Sequence, residues 1–172
     1  MKTFPLLLLG SSIITALLLT GCSPSEKPAA PASAAANATA AKKPESGRAV
    51  AITANDTMKF NRTEIHAKPG EALAVTLLNE GTVPKFSMGH NWVLLHADVD
   101  LTAFASDGAM AAATDYIAPA DKDKVIAATK LLGPKESDTV LFHAPEKPGR
   151  YPFICSFPGH LQVGMKGDLI VE

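Results

Sequence analysis

Short apolar runs that alternate with a period of two constrain the fold of this chain most strongly. The alternating positions are Leu73, Val75, Leu77, Val140, Phe142, Leu169 and Val171. Such runs are typical of strands buried on one face. Turn dipeptides separate them, at Pro69-Gly70, Glu80-Gly81, Gly133-Pro134 and Pro148-Gly149. We therefore predict an all-β protein, an antiparallel β-sandwich with Greek-key connections.

One stretch departs from the alternating pattern. Residues 100–129 are rich in alanine, and their large apolar residues are irregularly spaced. We predict a small helical insertion there, outside the sheets and directly after a strand that begins at His90.

The first 48 residues are predicted to lie outside the folded domain. Residues 1–21 resemble a lipoprotein signal peptide, because an apolar stretch too short to span a bilayer leads into small residues before Cys22. Residues 22–48 are dominated by Ala, Pro and Ser, a composition that predicts a flexible tether. Acyl chains on Cys22 would anchor the protein to a bacterial membrane, with its domain facing the periplasm or the cell exterior.

The remaining residues, 49–172, suffice for one domain with a sizeable core and are too few for two. The formal net charge of the chain is −1, so there is no basic footprint for nucleic acid.

Cys155 is the sole thiol left in this domain once Cys22 is acylated. With no disulfide partner in the chain, it is a reactive thiol, an inert buried thiol or a metal ligand. Tyr151, Phe153 and Cys155 share one face of a predicted strand, which points the sulfur inward with two core aromatics.

The residues after Cys155 favour a metal ligand. Residues 156–159 read SFPG, which predicts a tight turn that brings His160 back towards the sulfur. Met165 adds a thioether five residues later. Thiolate, imidazole and thioether suit a copper ion that alternates between Cu(I) and Cu(II), and a second imidazole would complete a trigonal site with a distant axial Met.

The spacing of the histidines leaves that second imidazole open. We favour His90, in the stretch MGHNWVL. His66, His96 and His143 remain competitors.

Three stretches resemble the azurins, a family of bacterial small blue-copper proteins: MGHNWVL at 88–94, DYIAPADKDKVIAATKLLG at 115–133 and YPFICSFPGH at 151–160. The similarity extends over nearly all of residues 50–172. It implies a cupredoxin β-sandwich that holds one type 1 copper ion. The implied ligands are His90, Cys155 and His160, with Met165 as a weak axial ligand and the Gly89 carbonyl as a second axial contact.

The resemblance also implies roles for neighbouring residues. Asn91 would tie the two ligand-bearing segments together, and the Phe157 amide would donate a hydrogen bond to the sulfur. Trp92 would be a buried core aromatic. The implied docking patch for partners consists of Met88, Phe157, Pro158 and Met110.

The chain departs from the azurin pattern at several positions. Four residues separate His160 from Met165, one more than in azurins and similar to the auracyanins. Gly70 stands where a disulfide cysteine is expected, so packing alone must hold the domain together. Asn79 and Ala128 occupy positions where azurins often have histidines, and we expect no proton-linked redox behaviour of that type. The tether and Cys22 are similar to those of lipid-modified azurins.

These features predict a monomeric, membrane-tethered carrier of single electrons, not an enzyme. Its partners would be redox proteins such as c-type cytochromes or a terminal reductase or oxidase. The main alternative is a copper chaperone or storage lipoprotein that hands on the metal itself. Zinc or no metal in the same pocket is a further alternative, whereas a nitrite-reductase-like enzyme would need a second copper centre.

Overall fold

Two β-sheets pack against one another in the computed structural model, which describes residues 44–172. The strands are β1 (Arg48–Ala54), β2 (Glu64–Ala67), β3 (Ala72–Asn79), β4 (Val93–Leu95), β5 (Val125–Ala128), β6 (Ser137–His143), β7 (Gly149–Ile154) and β8 (Lys166–Val171). One sheet has the order β1-β3-β6 and the other has the order β2-β8-β7-β4-β5. The predicted all-β sandwich is confirmed.

The main core lies between the two sheets and is built from the alternating positions. Leu73, Val75 and Leu77 have no exposed surface, and their neighbours along β3 are only partly buried. Trp92 is fully buried, as expected, and its ring lies 5.8 Å from that of Phe142 on the opposite sheet. Burial of these side chains is the main force that holds the sheets together.

The strand pairing is mixed and not purely antiparallel as predicted. β1 pairs with β3 and β2 pairs with β8 in parallel, whereas the other neighbouring strands are antiparallel. The reason is that the chain crosses between the sheets from β1 to β2 and again from β2 to β3, so β1 and β3 enter their sheet in the same direction.

The predicted insertion is helical over most of its length. It contains α2 (Leu101–Gly108) and 3₁₀ turns at Ala112–Thr114 and Pro119–Lys124. The Asp100 carboxylate caps α2 by accepting hydrogen bonds from the amides of Thr102 and Ala103.

The insertion ends earlier than predicted, because Val125–Ala128 forms strand β5 at the edge of the five-stranded sheet. Val125 and Ile126 favour a strand but Ala127 and Ala128 do not, so the four residues carry no clear strand pattern. Backbone pairing with β4 decides its conformation.

Helix α2 covers the outer face of the five-stranded sheet. Its Phe104 is fully buried in a second small core with Val93, Leu95 and Ile154. Strand β4 is therefore buried on both faces, which explains why its sequence does not alternate.

The strand that we predict to begin at His90 does not include His90. β4 begins at Val93, and His90 instead forms an isolated bridge with Leu132 through two backbone hydrogen bonds of 3.1 and 2.8 Å. A short helix, α1 (Lys85–Met88), precedes it and was not predicted.

The predicted signal peptide, Cys22 and the tether up to residue 43 lie outside the described residues. Arg48, the last residue of the predicted tether, is the first residue of β1 and pairs with Glu71 at 2.5 Å. Within residues 44–172, no helix combines the length and the apolar character needed to cross a bilayer.

Candidate metal centre

Cys155 is placed by β7, the strand that precedes the loop of residues 155–165, which we call the ligand loop because it carries the predicted ligands. It follows the end of β7 and is fully buried, and its amide donates to the Met165 carbonyl at 3.1 Å. The backbone amides of Asn91 and Phe157 donate hydrogen bonds to its sulfur. These contacts hold the sulfur at the end of the sandwich core.

A tight turn brings His160 back to this sulfur. The His160 amide donates to the Phe157 carbonyl at 3.1 Å, and Gly159 has a φ of +87°, a left-handed conformation that favours glycine. As a result, His160 Nδ1 lies 3.3 Å from Cys155 Sγ. The turn thus brings the His160 ring back to the sulfur, as its sequence predicts.

His90 approaches the same sulfur from a distant part of the chain. Its Nδ1 lies 4.0 Å from Cys155 Sγ. The donor atoms of His90, Cys155 and His160 all lie within 4.8 Å of one another, and all three residues are buried. Among residues 44–172, this is the only group of three such side chains close enough to share a metal ion.

The competing histidines lie elsewhere. His66 pairs with Glu172 at 2.8 Å on the surface, and His96 and His143 are exposed. Of these four histidines, His90 is the one that lies beside Cys155 and His160.

The electrostatics of the pocket fit a metal cation. Burial lowers the pKa of His160 to about 4, helped by the neighbouring His90, and burial also lowers the pKa of His90. Both rings are therefore neutral, the form in which imidazole binds a metal.

Burial has the opposite effect on the thiol. It raises the pKa of Cys155 to about 12, against the two amide hydrogen bonds, so a thiolate here needs a compensating positive charge. One soft sulfur and two imidazole nitrogens are donors that suit copper. His90 Nε2 is buried and has no hydrogen-bond partner among the described residues. The backbone carbonyl of Asn55 acts against burial, because it favours the protonated form of the His90 ring.

Met165 closes the ligand loop. It is fully buried, and its amide donates to the His160 carbonyl at 3.0 Å. The four intervening residues form a second turn, in which Gly164 has a φ of +86° and donates to the Leu161 carbonyl at 2.9 Å. The extra residue is thus accommodated at the exposed tip of the loop.

Gly89 lies directly before His90 and is buried. A Cβ at this position would lie 2.7 Å from the Lys85 carbonyl and 2.9 Å from the Leu131 side chain. The close approach explains why glycine is needed here.

Asn91 joins the segment that follows His90 to the segment that follows Cys155. Its Oδ1 accepts from the Ser156 amide at 2.9 Å, and its Nδ2 donates to the Ser156 hydroxyl at 2.8 Å. Nδ2 also donates to the Asp115 carbonyl at 2.8 Å.

Asn79, which stands where azurins often have a histidine, supports His90 indirectly. It is buried, and its amide group donates to the carbonyl of Leu132, the residue that pairs with His90. Ala128, the second such position, lies in strand β5. Cys155 is the free cysteine of the described residues, and Gly70 lies in a turn with a φ of +70°.

The residues of the predicted docking patch differ in exposure. Met110 is 94% exposed and Pro158 is exposed, but Met88 is half-buried and Phe157 is only 8% exposed. Phe157 lies between the rings of Tyr116 and His160, at 5.0 and 4.6 Å.

Sequence reasoning missed several residues around the site. Phe86 and Val163 are large exposed apolar side chains, at 82% and 45%. Lys59 donates to the Val163 carbonyl at the tip of the ligand loop. Ser156 was also missed, although its position as a polar residue directly after Cys155 could have indicated it. No sequence pattern marks Phe86, Val163 or Lys59.

The chain matches known copper proteins in sequence and in structure. The family described as copper binding proteins, plastocyanin/azurin family, matches residues 48–172. Azurin from Pseudomonas chlororaphis is 40% identical over 128 residues, which are 72% of this chain and 97% of that protein. The crystal structure of dithionite-reduced auracyanin from Roseiflexus castenholzii matches with a TM-score of 0.65 and 32% identity, covering 72% of this chain and 96% of auracyanin.

Outer membrane protein H.8 from Neisseria gonorrhoeae is 44% identical over 114 residues. The match covers 65% of this chain and spans only 61% of the length of the H.8 protein.

Proposed function

This chain belongs to the plastocyanin/azurin family of copper-binding proteins, and from that premise we propose that it carries single electrons outside the cytoplasm while tethered to a membrane. His90, Cys155 and His160 would hold one copper ion, with the Met165 thioether and the Gly89 carbonyl as weaker ligands. The convergence of three buried donors from two distant segments, all within 4.8 Å, is the observation that supports this most strongly. Members of the family are electron carriers and not enzymes.

Copper in such a site supplies a centre that gains or loses one electron. The residues of this chain contribute rigidity and exclusion of water. Cys155 and His90 have no exposed surface and His160 has only 2%, so solvent cannot reorganise around the donor atoms. The Asn91 and Phe157 amides restrain the sulfur and favour its charged form. Small rearrangement of the ligands allows fast electron transfer.

Partners dock near His160 through a small apolar surface. We assign Met88, Phe157, Pro158 and Met110 to it, with Met110 and Pro158 offering the exposed area. Small apolar contacts allow brief encounters with redox proteins such as c-type cytochromes or a terminal reductase or oxidase. Met110→Lys should slow electron exchange with such a partner, whereas a lysine at exposed Ala51 should not; equal rates would remove Met110 from the surface.

The proposed membrane anchor is Cys22, and the segment between it and β1 is the proposed tether. The name of the H.8 relative, an outer membrane protein, supports a location at a membrane outside the cytoplasm. A tether would raise the concentration of the carrier near membrane-bound partners.

Cell fractionation tests the anchor. Cys22→Ser should move the protein from the membrane fraction to the soluble fraction, and Cys155→Ser should leave it with the membrane. Retention of Cys22→Ser in the membrane fraction would contradict lipid anchoring.

The visible spectrum of the copper-loaded full-length protein tests the function. We expect an intense thiolate-to-copper band that ascorbate bleaches and ferricyanide restores. Cys155→Ser should abolish the band, and the matched control Cys22→Ser should keep it. A colourless protein that releases its copper to a chelator would contradict the proposal and favour a copper chaperone or store.

A further inference from the structure

The helical insertion contacts the chain on both sides of Cys155. On the side before it, Phe104 of α2 and Ile154 belong to one buried cluster. On the side after it, the Ser156 hydroxyl donates to the Asp115 carbonyl at 3.2 Å. The cysteine therefore lies between two points at which the insertion holds the backbone.

The Asp115 carbonyl connects both ligand-bearing segments. It accepts from the Ser156 hydroxyl and also from Asn91 Nδ2, at 2.8 Å. Asn91 directly follows His90, and Ser156 directly follows Cys155. One carbonyl of the insertion thus fixes the residue next to each of two ligands.

An unusual backbone conformation orients the Asp115 carbonyl. Asp115 and Tyr116 have φ values of 54° and 60°, in the left-handed region that a bulky residue such as tyrosine rarely adopts. Gly108, the last residue of α2, leaves room for the turn, because a Cβ there would lie 2.3 Å from the Tyr116 carbonyl. Surrounding contacts must maintain such a conformation.

The Tyr116 ring extends the contact to the ligand loop. It meets Phe157 edge to face with ring centroids 5.0 Å apart, and Phe157 packs on His160 at 4.6 Å. The Phe157 amide also donates to the Cys155 sulfur. A ring that restrains Phe157 therefore restrains both the sulfur and the imidazole.

We propose that Asp115 and Tyr116 are positioning residues, through which the insertion holds the Cys155–His160 loop in its ligand-binding conformation before any metal is present. The proposal rests on the proposed function only in treating this loop as the copper-binding loop. Neither residue is assigned as a ligand. Loss of the Tyr116 ring should loosen the loop and leave the sandwich intact.

Amide hydrogen exchange in the metal-free full-length protein tests this directly. In Tyr116→Ala, the amides of Ser156, Phe157 and His160 should exchange roughly tenfold faster than in wild type, because an edge-to-face ring contact is lost. Tyr116→Phe keeps the ring and should stay within about twofold of wild type. Core amides of β3 serve as the reference for intact folding. Equal loop exchange in Tyr116→Ala and Tyr116→Phe would overturn the proposal.

Ser156→Ala provides a second arm if Tyr116→Ala does not fold. It removes both hydrogen bonds of the Ser156 hydroxyl, the one to the Asp115 carbonyl and the one from Asn91 Nδ2, so loop exchange should rise at least several-fold. Ser137→Ala, at an exposed serine of β6, is the control. Unchanged loop exchange in Ser156→Ala would count against the proposal.

The copper-loaded protein gives an independent readout. Tyr116→Ala should shift the reduction potential and the copper hyperfine splitting, and Tyr116→Phe should reproduce the wild-type values. If wild type shows no thiolate-to-copper band, the proposed function fails, but the exchange measurements still decide whether the turn positions the loop.

Discussion

The two ends of the β-sandwich differ in whether their polar side chains are buried. At the metal end, Asn91 and Ser156 are buried and joined to each other and to the Asp115 carbonyl by four hydrogen bonds of 2.8 to 3.2 Å. At the other end, where β1 begins and β8 finishes, Arg48 and Glu71 form an ion pair, and His66 Nδ1 lies 2.8 Å from a carboxylate oxygen of Glu172. Glu71 is partly buried, and the other three side chains are exposed.

The two ends therefore differ in how strictly they fix the arrangement of the chain. A buried and fully bonded network permits one arrangement of the chain, and loss of one member leaves its partners unsatisfied. Exposed ion pairs are screened by water and contribute little. Substitutions at the metal end should therefore change binding and stability far more than substitutions at the other end.

The largest difference is expected between two histidines. His90→Ala should abolish the thiolate-to-copper band, because it removes one of the three converging donors. His66→Ala, at the opposite end, should leave the band at wild-type intensity. Copper titration followed by visible absorption makes the comparison, and a normal band in His90→Ala would mean that another residue supplies the second nitrogen.

A smaller effect is expected when the network loses its central side chain. Asn91→Ala leaves the buried Ser156 amide without its acceptor, and we expect a loss of about 2 to 4 kcal/mol in the free energy of unfolding. Urea denaturation of the metal-free protein measures this.

Asn61→Ala is a suitable control for that measurement. Asn61 accepts a hydrogen bond from the Thr53 amide at an exposed site, so its loss should cost less than about 1 kcal/mol. Equal destabilisation by the two variants would mean that the buried network contributes no more to the free energy of unfolding than one exposed hydrogen bond.

The smallest effect concerns the exposed end and its dependence on pH. A hydrogen bond from Arg48, followed by one from the Lys68 amide, lowers the pKa of Glu71 below its ordinary 4.5. A carboxylate with a lower pKa in the folded state stabilises it above that ordinary value, and the contribution disappears as pH falls through the folded pKa.

Glu71→Gln should therefore be slightly less stable than wild type at pH 7, by less than about 1 kcal/mol. The two proteins should converge as the pH falls below 4.5. Urea midpoints from pH 3 to 7 provide the comparison, and parallel curves would show that Glu71 is not linked to folding.

The alternation in the sequence was sufficient to predict strands β3, β6 and β8 and the β-sandwich class, because burial on one face imposes a period of two. It could not reveal β5, because Val125 and Ile126 are followed by two alanines and no alternation marks the strand, which pairs with β4. Nor could it reveal that Phe104 packs on the outer face of the sheet, since that contact depends on how α2 folds back.

At the site, the local turn from Cys155 to His160 could be predicted from Pro158 and Gly159. The convergence of His90 depends on a long-range bridge to Leu132, which no spacing encodes. The same holds for Asp115, whose part in the site depends on a left-handed backbone and on the direction of its carbonyl.

A crystal structure of the copper-loaded protein tests the central claim most directly. We predict one copper ion bound by the Cys155 sulfur and by Nδ1 of His90 and His160. A thiol left unbound, or a His90 ring turned away from the metal, would contradict the account.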